Sequence, residues 1–341
     1  MFKDRHIPVL TGEILSFARE ALKNRPGGLI VDGTLGEAGH TLLFRKNFPA
    51  AAILSLDRDS EMILRASQRL TEEGFSPVIS EEKRAVCLSG SIELVRSNFS
   101  DLAGILRESG LRPDFILLDL GISLYHYLGS GRGFSYTDES LDMRLDGDLG
   151  QSAAEIVNRY DEKKLAHLFK EYGEERYAGR AARAVVEARP IRDARELAAA
   201  VSRPILAAGR KHREEGVQRR EKIHPAARVF QALRIEVNRE LEVLQEALRT
   251  IPELLGDGGM LAVISFHSLE DRIVKERFRE LGEKSRPDSD KKNRMYNKRV
   301  DSGKKFWIRT PKPIRPTEKE CAENPASRSS RLRVLQKKLP S

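Results

Sequence analysis

The sequence predicts an α/β protein: a buried parallel sheet interrupted once by a wholly helical insertion. Three observations carry this expectation. Short apolar runs alternate with helical patterns through the first third of the chain. Three of the first four runs end in an aspartate. Strand signals then vanish from about Gln151 to Arg220 and return afterwards.

Leu29-Ile30-Val31 closes on Asp32-Gly33, Ala52 to Leu56 on Asp57, and Phe115 to Leu118 on Asp119, while Ile92 to Val95 follows a long polar connection. Continuous apolar runs of this kind are the signature of strands covered on both faces. Ligands of such sheets bind beyond the carboxyl ends of the strands, which is where the aspartates fall. The patterns at 153–160, 161–172, 174–189 and 194–208 are helical. His224-Pro225 opens a long amphipathic helix whose apolar stripe is Val229, Leu233, Val237, Leu241, Leu244 and Leu248. Gly258-Gly259 precedes a strand from Met260 to Phe266, and Ser268 with Asp271 reads as a capping pair for the next helix. Lys305 to Arg309 and Leu332 to Leu335 read as closing strands. A crossover between parallel strands needs only about a dozen residues. The long helical stretch is therefore an insertion: residues 1–130 and 222–341 form a discontinuous core and 131–221 an inserted helical domain.

Of the 341 residues, 40% are hydrophobic and 33% charged, the balance of a soluble globular chain. No apolar run approaches the roughly 20 residues of a bilayer span. The start, Met1-Phe2-Lys3-Asp4-Arg5, has no apolar core of a signal peptide. The two cysteines, Cys87 and Cys321, form no Cys-x-x-Cys, which excludes a disulfide framework or cysteine zinc site and fits a reducing cytoplasm. The formal net charge is +9, and residues 291–341 hold 16 basic against 4 acidic residues. A second basic run spans 210–222. Basic segments on a near-neutral body suggest a polyanionic partner; a solvated surface is the alternative. Tyr296, Phe306 and Trp307 interleave with these charges and either stack on bases or, for Phe306-Trp307-Ile308, form an ordinary strand.

The loop Asp32-Gly33-Thr34-Leu35-Gly36-Glu37-Ala38-Gly39-His40 spaces its glycines at i, i+3 and i+6. This matches neither the dinucleotide fingerprint nor a Walker loop. With Asp57 placed to reach ribose hydroxyls, it points to a nucleoside-type cofactor such as S-adenosylmethionine, against the alternative of an ordinary turn. Asp119 is placed to accept hydrogen bonds from a substrate amine or to cap a turn. In Gly131 to Ser135 and Leu141 to Arg144, Arg132 and Arg144 are candidates to grip phosphate and Phe134 to stack on a base, the alternative being a structural loop. His224 and His267 read as packing residues. No metal-ligand spacing or nucleophile motif occurs, so no metal is expected.

Taken together, several motifs resemble the ribosomal RNA small subunit methyltransferase H (MraW/RsmH) family. They are Asp32-Gly33-Thr34, Asp57-Arg58-Asp59, Asn98-Phe99-Ser100, Asp119-Leu120-Gly121, Arg132-Gly133-Phe134-Ser135, Leu141-Asp142-Met143-Arg144, Tyr172-Gly173-Glu174-Glu175-Arg176, Phe230 to Arg234, Phe266 to Arg272 and Asn324 to Arg333. They run in order along nearly the whole chain. The resemblance implies a class I S-adenosylmethionine-dependent methyltransferase core, Rossmann-like, with an inserted helical substrate-recognition domain. It implies methylation of the exocyclic N4 of a cytidine in small-subunit (16S) rRNA near the decoding centre, with the rRNA or a 30S assembly intermediate as partner; the sequence leaves the oligomeric state open, a homodimer being one assembly. It also implies cofactor contacts at Ala38, Gly39, His40, Asp57, Phe99, Asp119 and His126. Two positions depart from the family pattern: Ala38 stands where a second glycine is usual, and Ser123-Leu124-Tyr125-His126 replaces a sequence ending in glutamine. Two other functions fit parts of the sequence: a nucleotide-dependent oxidoreductase, which the glycine spacing opposes, and a non-catalytic RNA-binding assembly protein.

Overall fold

The computed structural model describes residues 7–80, 89–107, 109–147, 150–214, 224–284 and 303–340. Nine strands form one sheet among them: β1 (Leu29–Asp32), β2 (Ala52–Asp57), β3 (Val78–Ser80), β4 (Ile92–Arg96), β5 (Phe115–Asp119), β6 (Met260–Ser265), β7 (Gly282–Lys284), β8 (Phe306–Ile308) and β9 (Arg331–Lys337). Their spatial order is β3-β4-β2-β1-β5-β6-β9-β8-β7. The six from β3 to β6 run parallel, and β9 lies antiparallel between β6 and β8. The chain steps outward from β1 in one direction to β2 and in the other to β5, so the order reverses at β1. A doubly wound sheet opens its ligand crevice at such a reversal.

The strands are buried on both faces, as continuous apolar runs require. Residues alternate between two cores: Val31, Leu54, Leu56, Ile116, Leu118 and Val263 face one side; Ile30, Ile53, Phe115, Leu117, Ala262 and Ile264 face the other. The first layer is closed by helices Leu102–Arg107, Glu240–Leu254 and Ser268–Leu281, the second by Thr11–Ala21, Gly39–Asn47 and Ser60–Glu72. Among the described residues no helix is long and apolar enough to cross a membrane.

By its contacts the chain divides into two compact units, 1–122 with 243–341, and 123–242. These limits lie outside those read from the sequence, with 123–130 and 224–242 clustering with the helices. The second unit contains helices Leu124–Leu128, Ala153–Arg159, Glu162–Glu171, Ala178–Glu187, Ala194–Glu214 and Ala227–Asn238.

Three elements differ from the sequence reading. The long helix expected from His224 to Leu248 is broken at Arg239, whose φ of 50° is left-handed. An unbroken 3.6 period hides a break of one residue. The capping box of Ser268–Leu281 is His267 with Glu270 rather than Ser268 with Asp271. Asp271 instead takes Arg333 Nε at 2.7 Å and Arg331 Nη1 at 3.2 Å, tying that helix to β9. The basic C-terminal segment is also partly sheet: Phe306 is 1% exposed in β8, and Trp307 lies beside it under the Lys338 ammonium, 4.2 Å from the ring centroid. Stacking on bases therefore gives way to packing at these two positions. Tyr296 and residues 215–223 of the mid-chain basic run lie outside the described residues.

Burial acts to raise the Asp271 carboxyl, but the Arg333 hydrogen bond and the two guanidinium charges overcome it and hold the group below its ordinary value. A depressed folded value gives stability that is present above the unfolded pKa, about 3.9, and is lost as pH falls through the folded value. Asp271→Asn is therefore expected to be less stable than wild type at neutral pH. The gap in urea midpoint should narrow as pH is lowered from about 6 to about 3. A constant gap across that range would refute the linkage.

Candidate active site

The carboxyl ends of β1, β2, β4 and β5 bring together the residues read from the sequence as cofactor contacts in the first unit. Gly33 N continues the ladder by donating to Leu117 O at 2.9 Å. A Cβ on Gly33 would stand 2.5 Å from Leu118 Cδ2 and 3.3 Å from Phe99 Cβ, so only glycine passes here. Thr34 Oγ1 accepts from Asp119 N at 2.7 Å, which ties the glycine bend to the end of β5. Gly36, at φ 48°, donates its N–H to Asp57 Oδ2 at 2.9 Å, while Asp57 Oδ1 takes Asp59 N at the same distance. Asp57 thus shapes the bend as well as lining it. Arg69 Nη1 donates to Glu37 O and Arg65 Nη2 to Glu37 Oε1, bracing the loop from helix Ser60–Glu72.

Ala38 begins helix Gly39–Asn47 with φ 61° and no side-chain cap. A left-handed alanine carries roughly 1 kcal/mol of strain that glycine avoids, the physical content of its departure from the family pattern. Gly39 packs 3.4 Å, measured from an added Cβ, against Pro8. The segment holding Pro8 is itself clasped by the C-terminal region: Leu10 N donates to Glu320 Oε1 at 2.6 Å and Asn324 Nδ2 to Ile7 O at 2.9 Å.

Beneath the bend lies a residue whose role the sequence did not reveal. Asp32 is fully buried, takes Thr41 Oγ1 at 2.7 Å and Thr34 N at 3.3 Å, and is pushed above the usual carboxylate range by burial. His40 opposes that shift, as does the Thr41 hydrogen bond. His40 is 5% exposed; its Nε2 lies 3.5 Å from Asp119 Oδ2, and neither ring nitrogen makes a hydrogen bond. Asp119 Oδ1 is likewise buried without a hydrogen-bond partner. Phe99 opens a 3-10 turn, Phe99–Asp101, after Asn98, whose Oδ1 caps it by accepting from Ser100 N.

The other named residues lie in the second unit. His126 is 3% exposed, with its ring 5.4 Å from that of Phe134 and edge-on to it. Phe134, itself 3% exposed, therefore packs inside its unit and offers no free face to a base. Arg144 makes a forked pair with Asp142, Nε to Oδ1 at 2.6 Å and Nη2 to Oδ2 at 3.1 Å, and this hydrogen bonding raises its already high pKa. The carbonyl of Arg132 takes both Asp142 N and Met143 N. Asn238, at the break after helix Ala227–Asn238, clamps this loop: Oδ1 accepts from Leu145 N at 2.9 Å and Nδ2 donates to Met143 O at 2.8 Å. Its position at the end of a helical pattern was the available signal, and it was hidden by the apparent continuity of that pattern. Gly133 has φ 89°, and a Cβ there would fall 2.7 Å from Leu141 Cα and Ser140 O. Both obstacles are backbone. Gly133→Ala is expected to lower stability by about 2 kcal/mol or more, read as a lower urea midpoint at unchanged slope. An unaltered midpoint would show that the loop adapts.

The MraW methylase family matches residues 3–338. The chain belongs to that family. It is 41% identical over 339 residues to the ribosomal RNA small subunit methyltransferase H of Leptospira interrogans (serovar copenhageni, strain Fiocruz L1-130), covering 97% of this chain and 89% of that protein. The protein of the same description from Geobacter sp. (strain M21) is 41% identical over 338 residues, covering 97% and 98%. That from Thermosipho melanesiensis is 37% identical over 338 residues, covering 98% and 99%. With the family comes its methyl donor, S-adenosylmethionine. The pocket suits that group. It has open space beside Gly36 in the bend, and buried polar atoms of His40 and Asp119 without hydrogen bonds. Unpaired buried polar atoms in a native fold call for a ligand or an unseen water.

Proposed function

We propose that this chain methylates the exocyclic N4 of a cytidine in small-subunit (16S) rRNA near the decoding centre, acting on the rRNA or a 30S assembly intermediate in the cytoplasm. The observation that carries the reading is Asp119: a carboxylate at the end of β5, beside the glycine bend, with Oδ1 buried and unbonded. Bound S-adenosylmethionine supplies an electrophilic methyl on a sulfonium. Gly36 and Asp57 would hold its ribose side, Ala38 to His40 would border it, and Phe99 would pack on its base; His126 joins them on the family resemblance.

A cytosine amino group is a poor nucleophile because its lone pair is delocalised into the ring. A carboxylate accepting from its N–H draws the nitrogen towards a tetrahedral form and takes the surplus proton, while fixed positioning supplies much of the remaining acceleration. Methylation of a ring carbon would call for a nucleophile adding to the base, and neither cysteine stands in a strand-end motif. Arg132 and Arg144 would meet RNA phosphates, and the helical insertion would recognise the substrate. Mass-spectrometric nucleoside analysis of small-subunit rRNA, from cells lacking the protein and from complemented cells, tests this. Loss and return of one N4-methylated cytidine is expected, and an unchanged nucleoside profile would reject the reading. Light scattering of the protein with undermodified 30S particles shows whether one copy or a homodimer engages them.

A further inference from the structure

Asp32, His40 and Asp119 form a buried cluster unlike the ion pairs elsewhere in the first unit. Asp271, for comparison, has hydrogen bonds from two arginines. His40, by contrast, stands between two carboxylates with no hydrogen bond at either nitrogen, and the nearest approach is Nε2 to Asp119 Oδ2 at 3.5 Å. Among the described residues, the charged groups that face His40 are Asp32 from β1 and Asp119 from β5. On its own helix the neighbouring ring is Phe44, at 6.3 Å between centroids. A catalytic hydrogen bond is often long before ligands bind and tightens in the reacting complex.

We propose that His40 is a positioning residue: its Nε2–H donates to Asp119 Oδ2, which fixes the carboxylate and leaves Oδ1 as the acceptor for the substrate amine. This rests on the reading of Asp119 given above and departs from a cofactor-contact role for His40. In the reaction a nitrogen–carbon bond forms and the carbon–sulfur bond breaks with its electron pair left on sulfur. The proton lost by nitrogen passes to Asp119 Oδ1. A donor on Oδ2 holds the carboxylate in one orientation, so His40 acts on the placement of Asp119 rather than on the methyl group.

The test compares His40→Phe, which fills the buried slot without a donor, with His40→Gln, which keeps an N–H near the Nε2 position. Undermodified 30S particles and methyl-labelled S-adenosylmethionine are the substrates, and thermal melting of both variants confirms folding. His40→Phe is expected to lower kcat about a hundredfold. Any rise in its S-adenosylmethionine Kd by calorimetry should be smaller than the loss in kcat. His40→Gln should recover at least about a tenth of wild-type kcat. A loss confined to Kd, with normal kcat at saturation, would make His40 a cofactor contact only and overturn the proposal. So would equal losses in the two variants. A second measurement needs neither RNA nor methyl donor: nitrogen-15 NMR of the His40 ring in wild type and Asp119→Asn. Loss of the facing carboxylate, which lies 3.5 Å from Nε2, should shift the Nε2 resonance. An unchanged Nε2 resonance would also overturn the proposal, whatever the RNA substrate proves to be.

Discussion

Asp119→Ala is expected to reduce methyl transfer by at least about a thousandfold, roughly 4 kcal/mol of transition-state stabilisation, while leaving the protein as stable as wild type. The two halves of that expectation come from the same geometry. Catalytically, the carboxylate is the acceptor at the end of β5 proposed to take the amine proton. Structurally, its side chain holds little together. Oδ1 has no hydrogen bond and Oδ2 only the 3.5 Å approach of His40, while the link from β5 to the glycine bend runs through the Asp119 backbone N–H to Thr34. Removing a buried carboxylate with so few bonds relieves desolvation instead of breaking a network. Asp119→Asn, which keeps an acceptor oxygen but loses the charge, should fall between the two in rate. Single-turnover rates at saturating S-adenosylmethionine, set beside the Kd, separate the roles. A variant with near-normal kcat and weakened Kd would make Asp119 a cofactor contact and not the acceptor.

Ending the chain after Asn293 is expected to abolish folding of the first unit, not merely to weaken RNA binding. The lost segment contains β8 and β9. β9 sits inside the sheet, pairing with β6 from Met260↔Gln336 to Ser265↔Arg331 and with β8 on its other side. Leu332, Val334 and Leu335 are fully buried. Losing three such side chains alone removes about 5–9 kcal/mol of burial, comparable with the whole stability of a domain. Val334→Asp is the gentler version, since an unpaired buried carboxylate costs several kcal/mol. Circular dichroism and soluble yield report both. A truncated protein with a native spectrum and cooperative melt would show that the sheet closes without its last strands.

The sheet and its rim were legible because apolar runs covered on both faces stop at a charge: Asp32, Asp57 and Asp119 each mark a strand end, and the ligand side of the sheet follows from topology. Local patterning could not reveal features set by distant parts of the chain. Neither the placement of β9 between β6 and β8 nor the Leu10–Glu320 bond has a local signature. β3 escaped because Val78 and Ile79 are exposed on an edge, without the burial that makes a run conspicuous. Arg239 interrupts a helix with no glycine or proline to announce it. At the site, the glycine bend and Asp57 were visible from spacing. The depth of His40 and Asp32, and the internal packing of Phe134, were not, because sequence does not tell a buried aromatic from one offered to a ligand.

The insertion of β9 between β6 and β8 has a consequence for synthesis on the ribosome. The strand that locks one half of the sheet is the last of the nine to be made, and the segment clasping residues 7–10 is made just before it. Until both emerge, β6 presents an open edge, a surface prone to pairing with other chains. Native assembly of this unit therefore waits on its last strand, and copies terminated before β9 lack the piece that closes the sheet.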